Sequence, residues 1–144
     1  MTRLVRDVIA ESSAISALTE QAMDFLGKAG VDERCAHHVA LMLDEILTNV
    51  ATHGGAPLTS VNVSVEVHAD RVSAEILDFG APFDPRGARD PDPAVAPVDR
   101  PAGGLGLMLV RQVGCELDYK RRGDRNWTRF SMARGQPTGA QEGK

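Results

Sequence analysis

Val61-Asn62-Val63-Ser64-Val65-Glu66-Val67-His68-Ala69-Asp70-Arg71-Val72-Ser73-Ala74-Glu75-Ile76-Leu77-Asp78-Phe79-Gly80 decides the fold of this chain. Valines at 61, 63, 65 and 67 alternate with Asn62, Ser64, Glu66 and His68, the period of a strand with one buried face. Ala69-Asp70-Arg71 supplies a tight turn, and Val72 to Leu77 run back as a second strand that ends on Asp78-Phe79-Gly80. So short a connection predicts antiparallel pairing. A sheet with one apolar face needs a layer of helix or sheet over it.

Upstream the period changes to that of helices. Asp32 is a good N-cap for a helix whose stripe is Ala36, Val39, Ala40, Leu43, Leu47, Val50 and Ala51, ended by Gly54-Gly55-Ala56-Pro57. Before it, Ser12 or Ser13 can cap a helix carrying Ile15, Leu18, Ala22, Phe25, Leu26 and Ala29, which Gly30 stops. Residues 2–9 alternate loosely as an opening strand. Downstream, residues 81–102 hold six of the eight prolines and little that could enter a core, the composition of a functional or unstructured loop. A third helix is expected from about Leu105 to Val113, with Leu107, Val110 and Val113 inward. Glu116 to Arg121 and Trp127 to Ala133 read as a closing hairpin around Gly123-Asp124. The order predicts an α/β two-layer sandwich, with helices packed on one face of a mixed, mostly antiparallel sheet. One domain over residues 1–134, with a loop at 81–102, and a disordered polar tail at 135–144 account for the chain.

Length and composition narrow the class. With 144 residues, 42% hydrophobic and 25% charged, the chain can build one real core. Its net charge of -4 argues against a nucleic-acid or membrane-surface role, which calls for a basic excess. No apolar run approaches the roughly 20 residues that span a bilayer. The charged N-terminus lacks a signal-peptide core, so the expected location is the cytoplasm. Cys35 and Cys115, far apart and without close histidine partners, predict two small, half-buried side chains rather than a zinc site. His53 reads as a helix-end packing residue.

Three features carry chemistry. Glu45 and Asn49 stand four residues apart, about 40° round the helix, away from its buried stripe. Asp78 ends a strand, where a carboxylate can accept a hydrogen bond from an adenine amino group, and Gly80 lets a base approach the backbone. Gly103-Gly104-Leu105-Gly106-Leu107 opens an apolar helix, so its N–H groups can point at an anion. Each has an ordinary explanation alone: a solvated polar pair, an aspartate turn, a hinge before a helix. The glycines follow neither a Rossmann fingerprint nor a P-loop, which lacks its Gly-Lys-Ser/Thr here.

Together, in this order across roughly residues 40 to 110, they resemble the ATP-binding domain of the gyrase, heat-shock, histidine-kinase and MutL superfamily. The set is most similar to the small bacterial serine/threonine kinases that double as anti-sigma factors. The resemblance implies ATP with Mg²⁺ as cofactors, Asn49 as the metal ligand, and Glu45 as the catalytic general base. It makes Asp78 the adenine-recognition residue. It assigns Gly80, Gly103, Gly104, Leu105, Gly106 and Leu107 to the nucleotide site and places Thr128, on the last strand, near the base. It further implies phosphorylation of a STAS-domain anti-anti-sigma partner on serine or threonine, a sigma factor as second partner, and homodimers. No direct nucleic-acid or membrane contact is expected. The chain departs from the pattern at Ala102-Gly103, where a basic residue often precedes the glycines; Arg100 lies slightly earlier. That departure supports a rival: an ATP-responsive binding module without turnover.

Overall fold

The computed structural model describes residues 2–53, 60–87 and 114–135. The expected helix at 105–113, the glycine run at 103–107, Arg100 and most of the 81–102 loop lie outside the described residues.

Strand β1 (Thr2–Ile9) leads into helices α1 (Ser12–Lys28) and α2 (Glu33–His53). Strands β2 (Ser60–Val67), β3 (Arg71–Asp78), β4 (Glu116–Arg122) and β5 (Arg125–Ala133) complete the sheet. Its order is β1-β2-β3-β5-β4, and all four pairings are antiparallel. The chain passes from β3 to the far edge, runs along β4, and returns through β5 to pair with β3. The expected two-layer sandwich is therefore present. The register sets Val63 opposite Ile76 and Val65 opposite Ala74, so one continuous apolar face forms. Phe130 sits opposite Ala74 and extends that face into β5.

The helix ends follow local chemistry, with one correction. Asp32 caps α2 as expected: its Oδ2 accepts the N–H of Cys35 at 3.1 Å, satisfying a donor that the first turn leaves orphaned. Its Oδ1 accepts the N–H of Gly135 at 2.9 Å, tying the segment after β5 to the helix start. Neither Ser12 nor Ser13 caps α1. The N-cap is Glu11, which makes no side-chain cap bond, and both serines lie inside the helix. The chain leaves β1 through the Glu11 N–H to Ile9 carbonyl bond, which sets the helix start one residue earlier. At the other end Gly30 adopts φ +83°, and the Val31 N–H reaches back to the Leu26 carbonyl at 3.0 Å. That left-handed residue is why α1 stops at a glycine. Gly123, φ +58°, plays the same part in the two-residue turn between Arg122 and Arg125; a positive φ at the first position alone is the pattern of a type II′ hairpin.

Both helices bury their stripes on the Val61–Val65, Val72–Ile76 and Phe130–Met132 face. Leu18, Ala22 and Leu26 of α1 and Val39, Leu43 and Leu47 of α2 are essentially inaccessible. Met42 and Ile46 belong to this core too, and Leu41 packs against it. The expected stripe overreaches at the end of α2: Ala51 is exposed and Val50 only partly buried. There the helix leaves the core, and Val50 lines a cleft instead. Cys35 and Cys115 are fully buried rather than half-buried, and burial pushes both thiols up to about 11.

Phe130 is the largest fully buried side chain. Phe130→Ala should destabilise the fold by about 3–5 kcal/mol, the transfer loss plus an unfilled cavity between sheet and helices. Urea unfolding of the two proteins checks this directly.

Candidate functional site

The cleft lies where the last turns of α2 pass the end of β3. Its described lining is Ile46, Asn49 and Val50 from α2, Asp78 from β3, Ala81, Phe83 and Pro85 from the following loop, and Asn126 and Thr128 from β5. The space is about 300 Å³ counting its open mouth. Apolar walls from Ile46, Val50, Phe83 and Pro85 face a few polar side chains. That combination suits a flat heterocycle that must be oriented as well as buried.

Asp78 is the polar anchor, only 3% exposed. Its Oδ1 accepts the Gly80 N–H at 2.8 Å and the Asn126 Nδ2–H at 2.9 Å. Among the described residues no donor reaches the second oxygen. A buried carboxylate held by one oxygen, with the other left to accept, is a ready partner for an exocyclic amine. Gly80 is buried beside it.

The register explains how the loop after β3 is held. Asp78 pairs with Asn126 across β3 and β5, and Asn126 pairs with Arg121 across β5 and β4. Asn126 also donates to the carbonyls of Ala81, at 3.0 Å, and Gly80, at 3.3 Å. Its own Oδ1 accepts from the Tyr119 hydroxyl and from Arg121 Nη1, the latter at 3.2 Å. Arg121 Nη1 reaches the Gly80 carbonyl as well, at 2.7 Å. Every polar atom of a buried amide is thus spent on fixing residues 78–81, so the cleft wall is preorganised.

Two contacts continue this support past Ala81. The Phe83 ring stacks on His53, centroids 4.3 Å apart and planes 5° apart, so the end of α2 does serve for packing at His53. Asp84 Oδ1 accepts the backbone N–H and Nε–H of Arg86, and its Oδ2 accepts Nη2 at 2.8 Å. Hydrogen bonding from Arg86 holds the Asp84 carboxyl below the usual range.

Of the residues singled out from sequence, Asn49, Asp78 and Thr128 line one cleft, with Gly80 in its wall. Neither the Asn49 amide nor the Thr128 hydroxyl carries a hydrogen bond to the described residues. Glu45 is half-buried one turn before Asn49 on α2 and is not among the described lining residues. Gly103, Gly104, Leu105, Gly106 and Leu107 lie outside the described residues. Sequence reasoning missed Asn126 and Phe83. The strand period offered a signal for the first, since Asn126 and Thr128, two apart, must share a face. Nothing local announced the second.

The residues present fit a magnesium–adenine nucleotide. Among the described residues no three of His, Cys, Asp or Glu converge as a ligand set. Asn49 would offer a hard amide oxygen to a Mg²⁺ whose shell phosphate oxygens and water would complete.

An antiparallel sheet covered by two helices, with a polar-anchored cleft between helix and sheet end, is an α/β two-layer sandwich. The chain belongs to the histidine kinase-like ATPase domain family, whose model matches residues 8–132. It is 34% identical over 86 residues to the serine/threonine-protein kinase BtrW of Bordetella bronchiseptica, a match covering 58% of this chain and 61% of that protein. Among solved structures, the RsbU and RsbW domains of Rv1364c from Mycobacterium tuberculosis superpose with a TM-score of 0.68 at 15% identity. That superposition covers 95% of this chain and 34% of the other. A blue-light activated histidine kinase from Erythrobacter litoralis gives a TM-score of 0.50 at 19% identity, over 79% of this chain and 34% of that one. At such identities these two likenesses speak for the fold. No described helix is long and apolar enough to cross a membrane.

Proposed function

We propose that this chain is an ATP-dependent serine/threonine-protein kinase that acts as an anti-sigma factor, binding a sigma factor and phosphorylating a STAS-domain partner. The observation that carries the nucleotide part is the convergence of Asn49, Asp78 and Thr128 on one cleft, from three elements far apart in sequence. The kinase part is supported by family membership, by the likeness to a protein named as a serine/threonine kinase, and by Glu45 on the same helix as Asn49. The two protein partners rest on the resemblance of the motifs.

In this reading ATP supplies the phosphoryl group. Asp78 and the cleft walls orient the base, and Thr128 lies at its edge. Asn49 would present an amide oxygen to the metal, and the resemblance assigns residues 103–107 to the phosphates. Glu45 takes the proton of the attacking serine or threonine hydroxyl as its oxygen bonds to the terminal phosphorus and ADP departs. The work is positioning and charge neutralisation.

The test is nucleotide binding by calorimetry, with and without Mg²⁺, on the wild type and Asn49→Ala. Magnesium should tighten ATP binding to the wild type. The variant should lose at least about tenfold, since even groups outside a metal's own ligands are worth about 10- to 100-fold. It should also lose most of the magnesium dependence. Equal affinities with and without the cation in both proteins would sink the role of Asn49. The rival, a nucleotide-responsive module without turnover, is favoured by Ala102-Gly103 in place of a basic neighbour. It predicts tight ATP binding and no label transferred to any STAS-domain acceptor.

A further inference from the structure

The sheet has a second face, away from the helices, and it is not uniform. Along β4 its outward residues run Glu116, Asp118, Lys120, Arg122, so charge changes from acidic to basic toward the hairpin. Opposite them on β5 stand Ser131, Arg129, Trp127 and Arg125. At the basic end Leu77, Lys120, Arg122, Arg125 and Trp127 surround a hollow of about 680 Å³ counting its open mouth. Its floor is the indole of Trp127, held in place because Nε1 donates to Glu75 Oε1 at 2.8 Å. Lys120 Nζ lies 5.3 Å from the ring centroid.

Lys120, Arg122 and Arg125 are exposed, and among the described residues none of the three is in an ion pair. Three like charges around one hollow repel each other, offset in part by Lys120 over the Trp127 ring and Arg125 over the Phe79 ring, in a chain whose net charge is -4. Glu75 is committed to the indole, and Glu116 to Arg71 at 3.0 Å. Asp118 and Glu116 follow Lys120 along the outward row of β4 and border the positive region on that side. Such a patch is too small and too closely bordered by carboxylates to follow a phosphate backbone. It matches one or two carboxylates flanking an apolar side chain that rests on Trp127 and Leu77.

We infer that this hollow is a docking site for an acidic segment of a partner protein, one that sets Asp or Glu beside Leu or Phe. The inference stands apart from the nucleotide reading, because the hollow and the cleft occupy opposite faces of β3 and β5: Leu77 and Trp127 on one, Asp78, Asn126 and Thr128 on the other.

Trp127 is the chain's single tryptophan, so its fluorescence reports the hollow directly. The probe is an N-acetylated six-residue peptide alternating Glu with Leu and Phe, titrated into the full chain. Saturable change in Trp127 emission is expected, weakening strongly as salt rises from about 50 to about 500 mM because the contact is exposed and screened. The double substitution Lys120→Glu with Arg122→Glu should weaken it at least about tenfold. Both residues are exposed, so its unfolding midpoint and ATP affinity should stay those of the wild type. Equal affinity for the matching Gln peptide, no binding of the Glu peptide by fluorescence and calorimetry, or tighter binding of a thymidine oligonucleotide would each overturn the inference.

Discussion

On the proposed function, Glu45→Ala should slow phosphoryl transfer to a STAS-domain acceptor by about a hundred- to ten-thousand-fold, the usual worth of a general base, while leaving ATP affinity nearly as it was. The split follows from where the two α2 residues stand. Asn49 is on the cleft wall, whereas Glu45 is one turn earlier, half-buried and not among the described lining residues. In the proposed reading, removing its carboxylate takes away the proton acceptor, while Asn49, Asp78 and Thr128 stay on the cleft wall. Glu45→Gln is the sharper version, because it keeps the side chain's shape and removes only its basicity. Initial rates of label transfer and calorimetric affinities, measured side by side, separate the two roles. If affinity fell in proportion to rate, Glu45 would be a binding residue and the proposed division would fail.

How far the sequence could be read is clearest from a few particular residues. Val63 and Ile76 were legible as partners in kind, because strand alternation is local and the turn at residues 69–71 fixes the pairing direction. Asp32 was legible as a cap because capping is settled within three residues. Asp78 and Thr128 were legible as candidate site residues only through the motif order. Their meeting in one cleft depends on β5 crossing back to lie beside β3, which no local signal encodes. Asn126 was not legible as the clamp of the 78–81 loop: its partners are 45 to 48 residues away, and the bonds exist only once the register is set. The α1 cap failed for a related reason. Serine favours N-caps on average, but the turn out of β1 put the N-cap at Glu11, one residue before Ser12.

The same register makes the proposed base-recognition role of Asp78 testable. Asp78→Ala would remove the acceptor that holds Asn126 and Gly80 and so confound binding with loop collapse. Asp78→Asn does not. The two donors at Oδ1, the Gly80 N–H and Asn126 Nδ2, fix the new amide with its oxygen toward them and its nitrogen where the second carboxylate oxygen was. Loop and fold should hold, so the thermal midpoint should barely move. What changes is the group offered to the ligand: an amide donor now faces the amino donor of adenine. A site built to pair a buried polar group loses about 10- to 100-fold when the pairing is broken, so ATP affinity should fall by that amount. Guanine carries an accepting oxygen at the corresponding ring position, so GTP should not share the loss, and the preference for ATP over GTP should shrink or reverse. Parallel titrations of both nucleotides into both proteins decide the matter. Equal losses for ATP and GTP, accompanied by a lowered midpoint, would make Asp78 a structural aspartate in a turn and leave the cleft without its base-reading residue.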